Sequence, residues 1–296
     1  MNNLSKKEPF KIAVASGKGG TGKTTVSVNL QYFISKFWSE KVLLLDCDVE
    51  EPNDLIFFPE SEITGNKEVH LLVPFIDTQK CTFCRKCVDW CEFNAIVVIP
   101  PVKFAQVNQS LCHSCGACIV ACNNGAISEN KVSIGEINNY KTQIGVGLTE
   151  GKLKIGSAMQ TSVIKALKSE DFNNAEIIIY DAPPGTSCPV VTTVSDADFV
   201  VLVTEPTPFG VYDLSLTVDL LKEMNKTTGV IVNKSGLGNN EVYEYLEQNN
   251  IPILGAIPFN KNYASKYAQG NILKNILIET EDFYKEIISN IKKYIN

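Results

Sequence analysis

Two stretches of this chain combine residue types and spacings that dictate chemistry. The first is Gly17-Lys18-Gly19-Gly20-Thr21-Gly22-Lys23-Thr24-Thr25, a G-x-x-x-x-G-K-T loop. Its four glycines let the backbone bend tightly and turn successive N–H groups toward an anion. Lys23 is then expected to reach the β/γ-phosphates of a nucleotide and Thr24 to hold Mg²⁺. The second is a pair of cysteine runs, Cys81-x-x-Cys84-x-x-Cys87-x-x-x-Cys91 and Cys112-x-x-Cys115-x-x-Cys118-x-x-x-Cys122, repeated at an offset of 31 residues. The repeat outlasts the thiols, since Asn94-Ala95-Ile96 aligns with Gly125-Ala126-Ile127.

This cysteine order is the spacing of bacterial ferredoxins that hold two [4Fe–4S] clusters. Three thiolates on one tight loop bind three irons, and the last cysteine of the other repeat binds the fourth. The expected sets are therefore Cys81, Cys84, Cys87 and Cys122 for one cluster, and Cys112, Cys115, Cys118 and Cys91 for the other. A pair of zinc ribbons is the alternative use of C-x-x-C pairs. The sequence departs from the ferredoxin pattern where proline usually follows the fourth cysteine. Here Glu92 follows Cys91 and Asn123 follows Cys122.

The elements that must position these residues can also be read. Phe10–Ser16 is an apolar strand, and Thr24–Phe37 has the periodicity of an amphipathic helix. The loop thus lies between a strand and a helix N-terminus, whose dipole favours phosphate. Lys41–Leu45 is a second strand, ending in Asp46-Cys47-Asp48. Glu176–Tyr180 is another, ending in Asp181-Ala182-Pro183-Pro184-Gly185-Thr186. Carboxylates at the carboxyl ends of parallel strands face the ligand crevice of an open α/β sheet. Further strands are expected at Phe199–Thr204, Thr228–Val232 and Pro252–Pro258. Phe283, Ile287, Ile288, Ile291 and Ile295 form a helical apolar stripe expected to pack on the sheet. The expected fold is α/β: a P-loop NTPase-like, mostly parallel sheet with helices on both faces, over residues 1–74 and 131–296. A small α+β ferredoxin-like module is expected at 75–130.

The loop with its additional lysine, K-G-G-x-G-K-T-T, resembles the deviant Walker A motif of the MinD/ParA/Mrp and nitrogenase-iron-protein ATPases. Asp-x-Pro-Pro-Gly-Thr resembles switch II of the Mrp branch, and Val49-Glu50-Glu51-Pro52-Asn53 resembles switch I. Over nearly its full length the chain resembles members of this superfamily that contain an inserted ferredoxin domain. The resemblance implies that Lys18 acts in trans, across a nucleotide-sandwich homodimer, on the partner's phosphates. It implies that Asp48 orients the attacking water, that Asp46 and Asp181 belong to the Mg²⁺ shell with Thr24, and that Asn233 meets the adenine edge. The implied function is an ATP-hydrolysing iron–sulfur protein that couples nucleotide state to electron transfer toward an acceptor protein. The alternatives are an iron–sulfur carrier of the Mrp type and a MinD-like positioning ATPase. Cys188 lies where the nitrogenase iron protein has a bridging-cluster ligand, but no second such cysteine occurs near 150–160, so a free thiol is expected.

Composition sets the remaining bounds. The chain has 296 residues, ten cysteines and a net charge of −6. No basic cluster suggests nucleic acid as a partner, and no apolar run approaches the roughly 18 residues that span a bilayer. The residues before Phe10 do not read as a signal peptide. A cytoplasmic setting follows, in which so many cysteines point to metal or redox chemistry rather than disulfides.

Overall fold

The computed structural model describes residues 8–142, 146–172, 174–262, 265 and 272–295. The segment before residue 8, on which the expectation about a leader falls, lies outside the described residues. The chain divides into two compact units. One comprises Met1–Asn66, Ile137–Lys152 and Ile164–Asn296, the other Lys67–Glu136 and Leu153–Val163.

In the first unit the strands are β1 (Phe10–Ala15), β2 (Val42–Asp46), β7 (Gly147–Leu153), β8 (Ile177–Asp181), β9 (Phe199–Thr204), β10 (Thr228–Ser235) and β11 (Ile253–Pro258). They lie in the order β11-β10-β9-β1-β8-β2-β7. The sheet is completed at one edge by β6 (Ile127–Lys141) and β3 (Glu62–Ile76). All pairings from β11 to β7 are parallel. Both faces of these strands are buried, which explains why β1, β8 and β9 read as continuous apolar runs without alternation.

The first helix, α1 (Lys23–Trp38), buries Val26, Leu30, Phe33 and Ile34. The C-terminal helix, Ile272–Lys292, buries Tyr284, Ile287, Ile288 and Ile291 beside it. The rings of Phe33 and Tyr284 stack at 5.0 Å. Phe283, expected in the same stripe, instead lines a cavity at the sheet's edge. Among the described residues no helix is long and apolar enough to cross a membrane.

The second unit reproduces its sequence repeat in its backbone. Phe83 and Ser114 share φ 53, Arg85 and Gly116 have φ 67 and 74, and Asn94 and Gly125 have φ 51 and 58. Each pair is 31 positions apart. The short helices α2 (Lys86–Asp89) and α3 (Ala117–Ala121) follow Arg85 and Gly116 in turn. The hydrogen bond from Asp77 N–H to Ala126 C=O, 2.8 Å, has its counterpart from Asn108 N–H to Ala95 C=O, 2.7 Å. Between the copies lies an antiparallel pair, β4 (Ile96–Ile99) and β5 (Phe104–Val107). The sequence limits of 75–130 are narrower than this unit. The 15-residue strands β3 and β6 each supply residues to both units.

A polar clamp ties several elements of the first unit together. Asp196 pairs with Lys11 of β1 at 3.0 Å and with Lys168 at 2.5 Å, and accepts from the Tyr180 hydroxyl of β8 at 3.3 Å. Burial alone would raise its pKa, but Lys168 and Lys11 outweigh that and hold it below the usual carboxylate value. A lowered folded-state pKa stabilises above the unfolded value, and that stability is lost as pH falls through the folded one. With this side chain 41% exposed, Asp196→Asn should cost only about 1 kcal/mol at neutral pH. Urea unfolding should show the gap to wild type closing as the pH falls below the ordinary carboxylate range.

Candidate functional site

Strand register builds the site. β2 and β8 are parallel neighbours in which Asp46 aligns with Asp181, and Val14 of β1 also aligns with Asp181. Side chains at one register point to the same face, so both aspartates emerge together at the carboxyl edge, where the loop leaves β1.

Asp181 is 1% exposed and fully engaged. Its oxygens accept from Lys23 Nζ at 2.8 Å, Thr24 Oγ1 at 2.8 Å and Ser27 Oγ at 2.5 Å. Burial works against the Lys23 charge, yet Asp181, then Asp46 and Asp54, raise its pKa above the ordinary value. Asp46 accepts three backbone N–H groups, from Asp48 (3.1 Å), Asn53 (2.9 Å) and Asp54 (3.0 Å). Those bonds fold the segment after β2 around one carboxylate. Burial, and next Asp181, still push the Asp46 pKa up to about 8. Asp48 is half-buried, and burial raises its pKa to about 6.

The loop itself is pinned from several sides. Gly17 packs so closely on the Asp213 carbonyl that no Cβ would fit, whereas Gly19 and Gly20 face open space. Lys18 pairs with Glu205 at 2.5 Å, and Glu205 also holds Lys234 at 3.0 Å. The Lys234 ammonium donates to Gly20 C=O at 2.8 Å. Asn233 does not point freely into space. Its amide donates to Thr21 C=O at 2.7 Å, while the buried Thr21 hydroxyl has no hydrogen-bond partner. Asn233, Gly22 and Thr25, with Pro258, Phe259 and Phe283, line a cavity of about 580 Å³. Its dimensions and mostly apolar wall suit a flat heteroaromatic base beside the phosphate loop.

In the second unit the structure brings the eight cysteine sulfurs into two groups. Cys81, Cys84, Cys87 and Cys122 line one small pocket, and Cys91, Cys112, Cys115 and Cys118 line another. Backbone N–H groups of Phe83, Ser114 and Ala95 donate to Cys81, Cys112 and Cys91 Sγ at 3.4 Å each. Burial pushes the Cys87 and Cys112 thiols up, and Cys118 to about 11. As thiolates they would need cationic metal. A lone zinc at 2.3 Å from four thiolates would hold the sulfurs roughly 3.8 Å apart. Among the described residues, only Asp46, Asp54 and Asp181 form a group of three ligand atoms all within 4.8 Å, and no cysteine trio does.

Other residues singled out in the sequence fall as follows. Cys47 is fully buried and Cys188 is exposed. His113 stacks on Phe93 at 3.9 Å, and His70 lies 3.1 Å from Glu68. Sequence reasoning missed Ser27, Glu205 and Asp54. Ser27 follows Lys23 by one helical turn, a signal that was available. Asp54 carried none, because an acid beside Asn53 reads as loop.

Comparison with known proteins gives a consistent picture. Residues 12–273 match the CobQ/CobB/MinD/ParA nucleotide binding domain. An uncharacterized protein of Methanocaldococcus jannaschii is 33% identical over 277 residues, 90% of this chain and 95% of its own. An iron-sulfur cluster carrier protein of Pyrococcus furiosus is 26% identical over 74% of this chain and 59% of its own length. The crystal structure of the Pyrococcus furiosus cell division ATPase MinD aligns with a TM-score of 0.58 at 17% identity, covering 97% of this chain and 99% of that one.

Gly22 tests the packing of the loop. It has φ +91, and a Cβ there would collide with the Asn233 amide. Gly22→Ala should weaken binding of a fluorescent ATP analogue at least tenfold, because the loop and the base cavity are displaced together, while the melting temperature changes little.

Proposed function

The chain belongs to the CobQ/CobB/MinD/ParA nucleotide-binding family, as a P-loop ATPase of the MinD/ParA type, and on that premise we propose that its nucleotide state governs electron transfer through a ferredoxin-like module holding two [4Fe–4S] clusters. One observation carries this reading. A complete phosphate loop and two four-cysteine pockets, each drawing a sulfur from the opposite repeat, occur in one polypeptide.

When bound, the clusters would supply one-electron storage and transfer. The chain's own residues do the rest. Cys81, Cys84, Cys87 and Cys122 would hold one cluster, and Cys112, Cys115, Cys118 and Cys91 the other, with backbone N–H groups steadying the sulfurs. ATP enters with its base in the cavity beside Asn233 and its phosphates against the amides of residues 17–25. The Lys23 ammonium exchanges Asp181 for phosphate oxygens and neutralises charge as it develops. Thr24, Asp46 and Asp181 would hold Mg²⁺. Asp48, half-buried at the crevice edge, orients the attacking water. Lys18 leaves Glu205 to reach the phosphates of a second copy, which makes the homodimer the hydrolysing form. The electron acceptor is a separate protein.

A second reading, a carrier of iron–sulfur clusters, is favoured by the similarity to the Pyrococcus furiosus iron-sulfur cluster carrier protein. The interlocked ligand sets argue against it, since neither cluster could leave without opening both repeats. Incubation with an apo-ferredoxin distinguishes the two, because a carrier gives up its iron and an electron donor keeps it.

Anaerobically prepared protein should contain about eight irons per chain, and Cys122→Ser about half as many. Electron paramagnetic resonance of the reduced protein should change when MgATP is added. Lys18→Ala should still bind ATP yet stay monomeric and show no such change. An identical spectrum with and without MgATP in wild type would sink the coupling.

A further inference from the structure

The two cysteine pockets repeat one another in backbone and differ in the side chains that close them. Arg85 and Lys86 line the pocket of Cys81, Cys84, Cys87 and Cys122. Their counterparts 31 positions on, Gly116 and Ala117, line the pocket of Cys112, Cys115, Cys118 and Cys91. A second pair of counterparts differs as well. Asn124 donates to the Thr82 hydroxyl at 2.8 Å beside the first pocket. The matching residues of the other repeat are Phe93 and His113, whose rings stack at 3.9 Å beside the second. One pocket is thus rimmed by two cations and a polar pair, the other by small residues and an aromatic stack.

An electron placed on an iron–sulfur site adds one negative charge there. Its reduction potential therefore depends on surrounding charge, on hydrogen bonds to sulfur and on solvent exposure. Exposure does not separate the two sites, since Cys84 and Cys115 are both exposed and Cys87 and Cys118 both buried. The bonds from Phe83 to Cys81 and from Ser114 to Cys112 are equal at 3.4 Å. The bond from Ala95 to Cys91 favours the second site, but a neutral donor is weaker than an ionised one. Charge does separate them. Lys86 is near enough to act on Cys84, and Glu129 on Cys112. Lys80, next to Cys81, is paired with Asp77 at 3.5 Å and adds little net charge to the first site.

We propose that Arg85 and Lys86 make the Cys81, Cys84, Cys87 and Cys122 site the one of higher reduction potential, so that the first electron entering the module rests there. The inference rests on the proposed pair of [4Fe–4S] clusters and gives the two sites different roles. A low-potential one-electron donor is oxidised and this site is reduced, with no bond broken and no proton moved. Arg85 and Lys86 are positioning residues for that electron, since neither ligates iron. The second site, with Glu129 nearby and no cation at 116 or 117, is reduced last and is then the stronger reductant. Both cations are exposed and partly screened by salt. A preference of about tenfold is therefore expected, about 59 mV for one electron.

The test is an anaerobic redox titration of the full chain at about pH 8.5, where imidazole is neutral, read by electron paramagnetic resonance. Repulsion between two added electrons would separate the reduction steps even at identical sites, so reciprocal swaps decide. Arg85→Gly/Lys86→Ala gives the first site the residues of the second, and Gly116→Arg/Ala117→Lys does the reverse. Both swaps suit the backbone, because residues 85 and 116 have φ 67 and 74 and a Cβ on Gly116 meets nothing within 4 Å. The first swap should lower the upper potential and the second should raise the lower one, each by about tenfold in the equilibrium constant. Both therefore narrow the gap. At identical sites each swap would widen it instead. A gap that widens or stays unchanged, with iron content intact, would overturn the assignment. A merely structural role would alter iron content and leave the potentials of filled sites where they are. If one swap loses its iron, the other decides. Wild type holding far fewer than about eight irons would sink the two-cluster reading itself, whereas a full iron count with an unmoved gap sinks the inference alone.

Discussion

The first unit depends on one constraint, the register of three adjacent parallel strands. Because β1, β8 and β2 run in the same direction and align Val14, Asp181 and Asp46, the phosphate loop and two carboxylates must emerge at one edge. Slipping β2 by a single residue would turn Asp46 to the opposite face and bring Cys47 or Leu45 to the crevice. The apolar runs of these strands fix that register through burial on both sides. The core therefore sets the separation between the two carboxylates, and the loops only complete the site.

The second unit solves a different problem. Its apolar clusters are small and include sulfur as a structural component: Cys87 and Cys118 pack with Ile76, Ile96, Val98 and Ile127. A segment of this size has little hydrophobic surface to bury. Left-handed residues at Phe83, Arg85 and Asn94 add conformational cost. Ligation of metal by the cysteines would offset that cost and make metal binding and folding of this unit a single event.

How much could be read from the sequence varied with how local the physics is. The strand, loop and helix around residues 10–38 were legible because a glycine-rich turn and a helix start are set by adjacent residues. The cysteine runs were legible for the same reason, and β9 was located to the residue. The long strands β3 and β6 were not. Their alternation is blurred by Gly65, Asn66 and Lys67 in one and Asn138 and Asn139 in the other, and the side-chain hydrogen bonds of Asn66, Asn138 and Asn139 form only once distant strands meet. Asp54 was invisible for a related reason. Its significance comes from Asp181, more than a hundred residues away, and no spacing rule connects them. Glu205 likewise looked like a strand terminus until Lys18 and Lys234 were seen on either side of it.

The bond between Lys23 and Asp181 has one more consequence. In the role proposed for Lys23, an incoming phosphate must take the ammonium from a carboxylate already seated 2.8 Å away, so the chain would carry an internal competitor for its own ligand. Whatever free energy that pair contributes is subtracted from nucleotide affinity. The apparent dissociation constant is thus a difference between two anions bidding for one cation. Evolution could adjust it through the surroundings of Asp181 alone, without altering a single atom that touches the nucleotide.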